Sequence, residues 1–267
     1  MQNMDISELF IMFIIYCFLG YCWEVLYCAI VEKHLENRGF CMGPWLPIYG
    51  VGAILDILIL GNNNSYIQVF IICVISSVFL EFFTSLILEK LFHATWWDYY
   101  NFPLNFQGRI CLFASLAFGV AGLIVRFVLH PKIYLLVEKL SPQSQDLIAL
   151  ILMAIFAADV ALTVEALIRI NEKITKLSNK IGDIIISNYD NLLVNFSNIK
   201  DDTSQALNDA KEKIKLDTIK EEARKLKEGL SKNQLRLVKN AKVIKDNPKK
   251  KHYLDIFRKM NEKEQKK

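Results

Sequence analysis

Apolar residues along the chain fall into five runs, separated by polar connections, up to about residue 168; beyond that point the pattern changes. The runs cover residues 9–31, 45–60, 66–91, 110–129 and 147–168, each near the roughly 20 apolar residues that a helix needs to span a bilayer. The second is the shortest; it opens on Pro44 and Pro47 and carries Asp56. Glu24 interrupts the first, Glu81 and Glu89 the third, Arg126 the fourth, and Asp159 and Glu165 the fifth. The expected fold is therefore an all-α integral membrane protein, with about five transmembrane helices in a domain over residues 1–168. Leu167, Ile170, Ile174, Leu177, Ile181 and Ile184 then recur at alternating spacings of three and four. That is a heptad seam, and it predicts that the last span runs on as one helix out of the membrane. A further charged helical stretch covers about residues 204–243, and Pro248 breaks it. Residues 169–267 thus read as a long, coiled-coil-like cytoplasmic tail, for which self-association along the seam is one open use.

The third run carries a polar stripe. Ser77, Glu81, Ser85, Glu89 and His93 lie four apart, so a helix places them on one face. Lipid does not solvate such a stripe, which is expected to face protein or water. Cys17, Gly20, Glu24 and Cys28 make a small polar face on the first run, and Ser115, Gly119 and Gly122 make another on the fourth. Small faces let helices approach closely. Packing through them is expected to bring Glu24 and Glu81 together around a wet pocket in the inner half of the bilayer. An intramembrane acid costs about 3 kcal/mol or more on insertion scales. Two readings follow: acids that take protons or bind a cation, or acids that pair structurally with Arg38 or Arg109. Arg126 and Asp56 are expected to form a structural pair toward the outer side.

Two connections hold further candidate chemistry. The stretch 36–52, ENRGFCMGPWLPIYGVG, sets glycines and two prolines around the entry to the second run, so it is not a regular helix throughout. It is either a re-entrant, cavity-lining segment or an ordinary interfacial turn, because irregular backbone at membrane depth survives only under protein or beside water. Trp96, Trp97, Tyr99 and Tyr100 fit an aromatic belt at headgroup level. Asp98, Asn105 and Arg109 add polar groups at the same inner mouth.

Charge sharpens the division. Residues 1–168 hold 7 Lys+Arg against 13 Asp+Glu, whereas residues 169–267 hold 25 against 15. The basic excess belongs to the tail and gives no reason to expect nucleic acid; Lys249–Lys251 read as a solvated run or a contact to anionic lipid. Positive residues in the connections 32–43 and 90–109 and in the tail predict an N-terminus outside and a tail in the cytoplasm, with Lys132 and Lys139 as exceptions. The first run has no Lys or Arg before it and no small-residue cleavage site, so it reads as a retained span in a multi-pass cell-membrane protein. The six cysteines contain no Cys-x-x-Cys pair and read as small packing residues. There is no G-x-x-x-x-G-K-[ST] loop, no His-Glu-x-x-His and no G-x-S-x-G elbow. No cofactor and no metal is expected, and the chain reads as a non-enzyme.

ENRGFCMGPWLPIYGVG, followed by LEFFTSLILEKLF, WWDYY, NFQGRICLFASLAFG and His130-Pro131, resembles the ABC-transporter type IV permeases, also called CmpB-like bacterial membrane proteins. The resemblance covers about residues 8–131. It implies a membrane permease subunit working with a separate ATPase. Its polar motif positions here are Glu24, Asn37, Arg38, Gly43, Pro44, Glu81, Trp97, Asp98, Asn105, Gly108 and Arg109. Together with Glu89 on the stripe, Glu24, Asn37, Arg38, Glu81, Asp98, Asn105 and Arg109 form the candidate substrate or ion path. Three functions compete. The first is a permease for an unidentified small solute. The second is a membrane scaffold whose tail recruits cytoplasmic partners. The third is an intramembrane enzyme acting on lipid headgroups, with Glu24 or Glu81 as base and Arg109 holding an anion.

Overall fold

The computed structural model describes residues 4–31, 33, 39–61, 65–196 and 204–240, and the chain divides into two units, Met1–Glu165 and Ala166–Lys267. The first unit holds α1 (Ile6–Val31), α2 (Pro47–Leu60), α3 (Tyr66–Phe92), a two-stranded hairpin of β1 (Asn105–Phe106) and β2 (Ile110–Cys111), α4 (Leu112–Ile124), a π-helical turn (Val125–Leu129), α5 (His130–Glu138) and the start of α6 (Pro142–Phe196). Among the described residues, four helical stretches are long and apolar enough to cross a membrane: Ile6–Ile30, Tyr66–Phe92, Leu112–Glu138 and Pro142–Ile181. Their exposed faces are greasy, with Trp23, Leu26 and Ile30 on α1, Phe79, Phe83 and Ile87 on α3, and Leu147, Leu150 and Ile151 on α6. Such faces are at home in lipid.

The second expected span is shorter than the sequence suggested. α2 has 14 residues, about 21 Å of helix against a hydrocarbon core of about 30 Å. Its start is set by Pro47, whose fixed φ and missing N–H suit the first helical position. Before it, residues 39–46 are irregular, and the Leu46 N–H donates to the Cys17 carbonyl, 3.0 Å away in the middle of α1.

Contacts along the helices set their directions. Tyr49 packs over Gly20, while Ile57 lies with Ile11 and Met12, so α2 runs antiparallel to α1. α3 runs back against α2, with Ser76 donating to Asp56 at 2.5 Å and Leu60 packed on Val69. α4 opposes α3: a Cβ added at Gly122 would collide with Cys73, and Tyr66 meets Phe127. α6 starts beside the start of α1, through Ser7 to Asp146 at 2.6 Å and Glu8 to Gln145 at 3.2 Å. The small faces thus do their packing on neighbours in between: the Gly20 face takes α2, and the Gly122 face takes α3.

Three local features depart from the expectation. The fourth span does not stop at Leu129; the π-helical turn ends with the His130 N–H on the Val125 carbonyl and leads directly into α5. Pro131 has no N–H to give, and the wider π turn lets the rod pass over that gap. Lys132 therefore lies within a helix rather than in an external connection. α3 ends at Phe92, and His93 (φ 54°) caps it in the left-handed region instead of continuing the stripe. The connection between α3 and α4 contains the β hairpin, whose turn puts Gln107 and Gly108 at φ 53° and 66°. A turn of this kind suits a tight antiparallel reversal.

In the second unit, the heptad seam is buried at Leu167, Ile170, Ile174 and Ile181. It is met by the chain's own α7 (Ser204–Glu228): Ile181 packs on Ile219, with Leu177 alongside. Lys180 reaches Glu222 at 2.8 Å, and Lys173 reaches the Gly229 carbonyl at 2.7 Å. A short α8 (Lys232–Asn240) adds buried Leu237 and Val238.

Candidate functional site

The stripe on α3 turns inward: Val69, Cys73, Ser77, Glu81 and Ser85 are its buried positions. Glu81 is only 4% exposed. One of its carboxylate oxygens accepts from the Tyr99 hydroxyl at 3.0 Å, and the other, Oε2, is buried without a hydrogen-bond partner. Glu24, half-buried on α1, accepts from the Tyr49 hydroxyl at 2.7 Å. Each carboxylate thus takes a phenol, Glu24 that of Tyr49 on α2 and Glu81 that of Tyr99. Burial first, then the Glu81 carboxylate, pushes the Tyr99 phenol well above its ordinary range, so it stays protonated and donates.

Among the described residues, neither acid is held by a guanidinium. Arg109 pairs with Glu89 at 2.6 Å, donates to the Ser85 hydroxyl at 3.1 Å, and is 7% exposed. The Arg109 backbone carbonyl accepts the Trp97 indole N–H at 2.8 Å. Asp98 and Asn105 build the loop: Asp98 accepts the Tyr100 N–H at 2.9 Å. Asn105 donates to the Phe102 carbonyl at 2.7 Å and accepts the Gly108 N–H at 3.1 Å. Gly108 has no room for a side chain, since Tyr100 and Asp98 stand where a Cβ would go. Asn37 and Arg38 lie outside the described residues.

A cavity of about 90 Å³ opens between α2, α3, α4 and the π turn. Glu81 and Tyr49 line one part of it, with Ser77, Ser76, Asp56 and Arg126 among its other polar residues. The expected Asp56–Arg126 pair is replaced by other partners: Asp56 takes the Ser76 hydroxyl, and Arg126 donates to the Gly61 carbonyl at 2.8 Å. At about 30 Å³ per liquid water, the space holds roughly three water molecules. Asp98, Asn105, Arg109, Glu89 and Glu24 are not on its wall. Among the described residues no group of three or more His, Cys, Asp or Glu gathers in a metal-binding arrangement.

Sequence reasoning passed over the residue that holds the irregular segment down. The Asp159 carboxylate on α6 accepts the Met42 N–H at 2.9 Å, the Gly43 N–H at 2.7 Å and the Trp45 indole N–H at 2.6 Å. Thr163, one turn on, adds a hydroxyl at 3.3 Å. The backbone N–H groups of Met42 and Gly43, the Trp45 indole and the half-buried Asp159 carboxylate thus satisfy each other, as irregular backbone set among apolar helices requires. The available signal was an unexplained acid in the middle of the fifth run. Tyr99 was also missed as a partner, because its aromatic character already had an explanation at the interface, and Tyr49 was read only as part of the irregular stretch 36–52.

Residues 11–164 match the family model described as "putative ABC-transporter type IV", while no curated protein and no solved structure matches the chain. The matched stretch takes in the whole cavity lining, both acids, both tyrosines and the Asp159 clamp, and it stops before the heptad seam. With more than half of its length under that match, and with four helices fit to cross a bilayer, the chain is a membrane protein that belongs to the ABC-transporter type IV family.

Proposed function

We propose that the first unit is a permease subunit that moves a small solute between α2, α3 and α4, using energy from a separate ATPase. The observation that carries this reading is the cavity beside α2, in a chain of this family. A helix too short to span the bilayer, entered by irregular backbone, leaves polar groups such as Glu81, Asp56 and Ser77 facing an interior space instead of lipid. The chain performs no covalent chemistry of its own in this reading.

The same reading gives five passes, with α2 and the segment 39–46 together making the second. Its support is the alternation of directions: α1, α3 and α6 run one way, and α2 and the α4–α5 rod return. The N-terminus then lies outside and the tail in the cytoplasm, in keeping with the tail's 25 Lys+Arg.

The test is copurification of the intact chain with an ATPase from its native membrane, followed by reconstitution of the pair in vesicles. ATP-dependent solute flux that Glu81→Gln lowers is the expected result. Recovery of the folded chain with no ATPase and no flux overturns the permease reading. A scaffold is the second reading, favoured by one observation: the helical second unit begins just where the family match has ended. Deleting residues 180–267 separates the two, because a permease keeps flux and a scaffold loses its partners.

A further inference from the structure

The cavity has a chemical preference that the family assignment does not state. Its wall carries two carboxylates, Asp56 and Glu81, against one guanidinium, Arg126, which reaches the Gly61 carbonyl. Asp56 already has a hydroxyl donor from Ser76. Glu81 is different: it lines the cavity, it is 96% buried, and one of its carboxylate oxygens, Oε2, has no hydrogen-bond partner. A buried carboxylate oxygen left without a donor is costly, and a ligand that supplies N–H groups and positive charge removes that cost. Tyr49, also on the wall, gives its hydroxyl proton to Glu24.

The rest of the wall argues about size and kind. Tyr49 and Phe118 pack 5.9 Å apart and present aromatic rings beside the acid, with apolar Ala53, Leu80 and Ala121 around them. A bare inorganic cation needs several oxygen ligands in a shell; of the wall's two carboxylates Asp56 already takes the Ser76 hydroxyl, which leaves Glu81 and scattered hydroxyls. A small ammonium group carried on a short apolar body fits both features: its N–H groups meet Glu81, and its carbon body meets the rings and aliphatic wall.

We propose that this cavity is a binding site for a small primary ammonium ligand, with Glu81 Oε2 as its anchor. The inference deepens the permease reading by naming a substrate class and rests on it for transport, but binding itself requires no ATPase.

The experiment is calorimetric titration of the purified full-length protein in nanodiscs with ethylammonium chloride. Ethanol serves as the uncharged near-isostere and sodium chloride as the inorganic control. Saturable binding of one ethylammonium per chain, absent with ethanol and with sodium, is expected. Glu81→Gln, checked for helix content and monodispersity, is expected to weaken binding about tenfold or more, as loss of a charge-assisted contact does. Equal heats from sodium or ethanol, no saturable binding, or a folded Glu81→Gln variant that binds within about twofold of the parent each overturn the inference. If Glu81→Gln does not fold, the comparison of ethylammonium with ethanol on the parent protein decides alone. Solute flux with an ATPase but no ethylammonium binding sinks this inference and leaves the permease; binding without any ATPase or flux does the reverse.

Discussion

Replacing Asp159 by Asn tests the account of how irregular backbone is kept at depth beside α1. The native carboxylate accepts three N–H donors at 2.6–2.9 Å, from Met42, Gly43 and Trp45. Asparagine keeps the volume but loses the charge, and its NH₂ group faces a donor wherever the carboxylate had its second oxygen. A hydrogen bond to an ionised acceptor contributes about 1.5–3 kcal/mol, and one to a neutral acceptor about 0.5–1.5. The loss is therefore about 1 kcal/mol per donor, roughly 3 kcal/mol for the clamp. If residues 39–46 open locally before the bundle unfolds, that is on the order of a hundredfold faster amide exchange at Met42 and Gly43. Hydrogen exchange with mass spectrometry on the nanodisc-embedded chain reads this directly, with α3 amides as the internal control. Thr163→Val, which removes only the 3.3 Å hydroxyl contact, is expected to show a much smaller change. Unaltered exchange across residues 39–46 in a folded Asp159→Asn variant would show that something other than this carboxylate holds the segment, and the reasoning would fail.

The Arg109–Glu89 pair is expected to be structural: Glu89→Gln strands a guanidinium that is 7% exposed and costs about 3–5 kcal/mol in thermal unfolding. The double substitution Glu89→Leu with Arg109→Met is milder than Glu89→Gln, and the reverse order refutes the assignment. In the second unit, the Lys180 hydrogen bond, and after it Lys225, hold the Glu222 carboxyl below its ordinary value of 4.5. A depressed folded value means the contribution is complete above that pH and is lost as pH falls through the folded value. Exchange across α7, corrected for its intrinsic pH dependence, should therefore rise on acidification below about 4.5 in the parent and change less in Glu222→Gln.

Patterns local to one helix were legible in the sequence. The apolar runs determined which helices suit a bilayer, because span length and greasiness are properties of consecutive residues. Spacings of four placed Ser77, Glu81 and Ser85 on one face, and lipid's inability to solvate them required that face to turn inward, where the structure has it. The heptad seam likewise foretold a helix continuing past residue 168, though not that the seam would be met by the chain's own Ile219.

Partnerships between helices belonged to the tertiary structure. Nothing in the spacing of residues says that Arg109 comes level with Glu89 and one turn past Ser85, since that depends on how far α4 and its hairpin slide along α3. Depth was undetermined for the same reason: only the meeting of Leu46 with the middle of α1, and of Met42 and Gly43 with Asp159, fixes how far residues 39–46 enter the bundle. The extension of the fourth span through Pro131 rests on a π turn, a backbone choice made by packing. Periodicity assigns a residue to a face; the register between two faces is settled only when both are in place, and it was that register which gave Arg109 to Glu89 and left Glu81 beside a cavity.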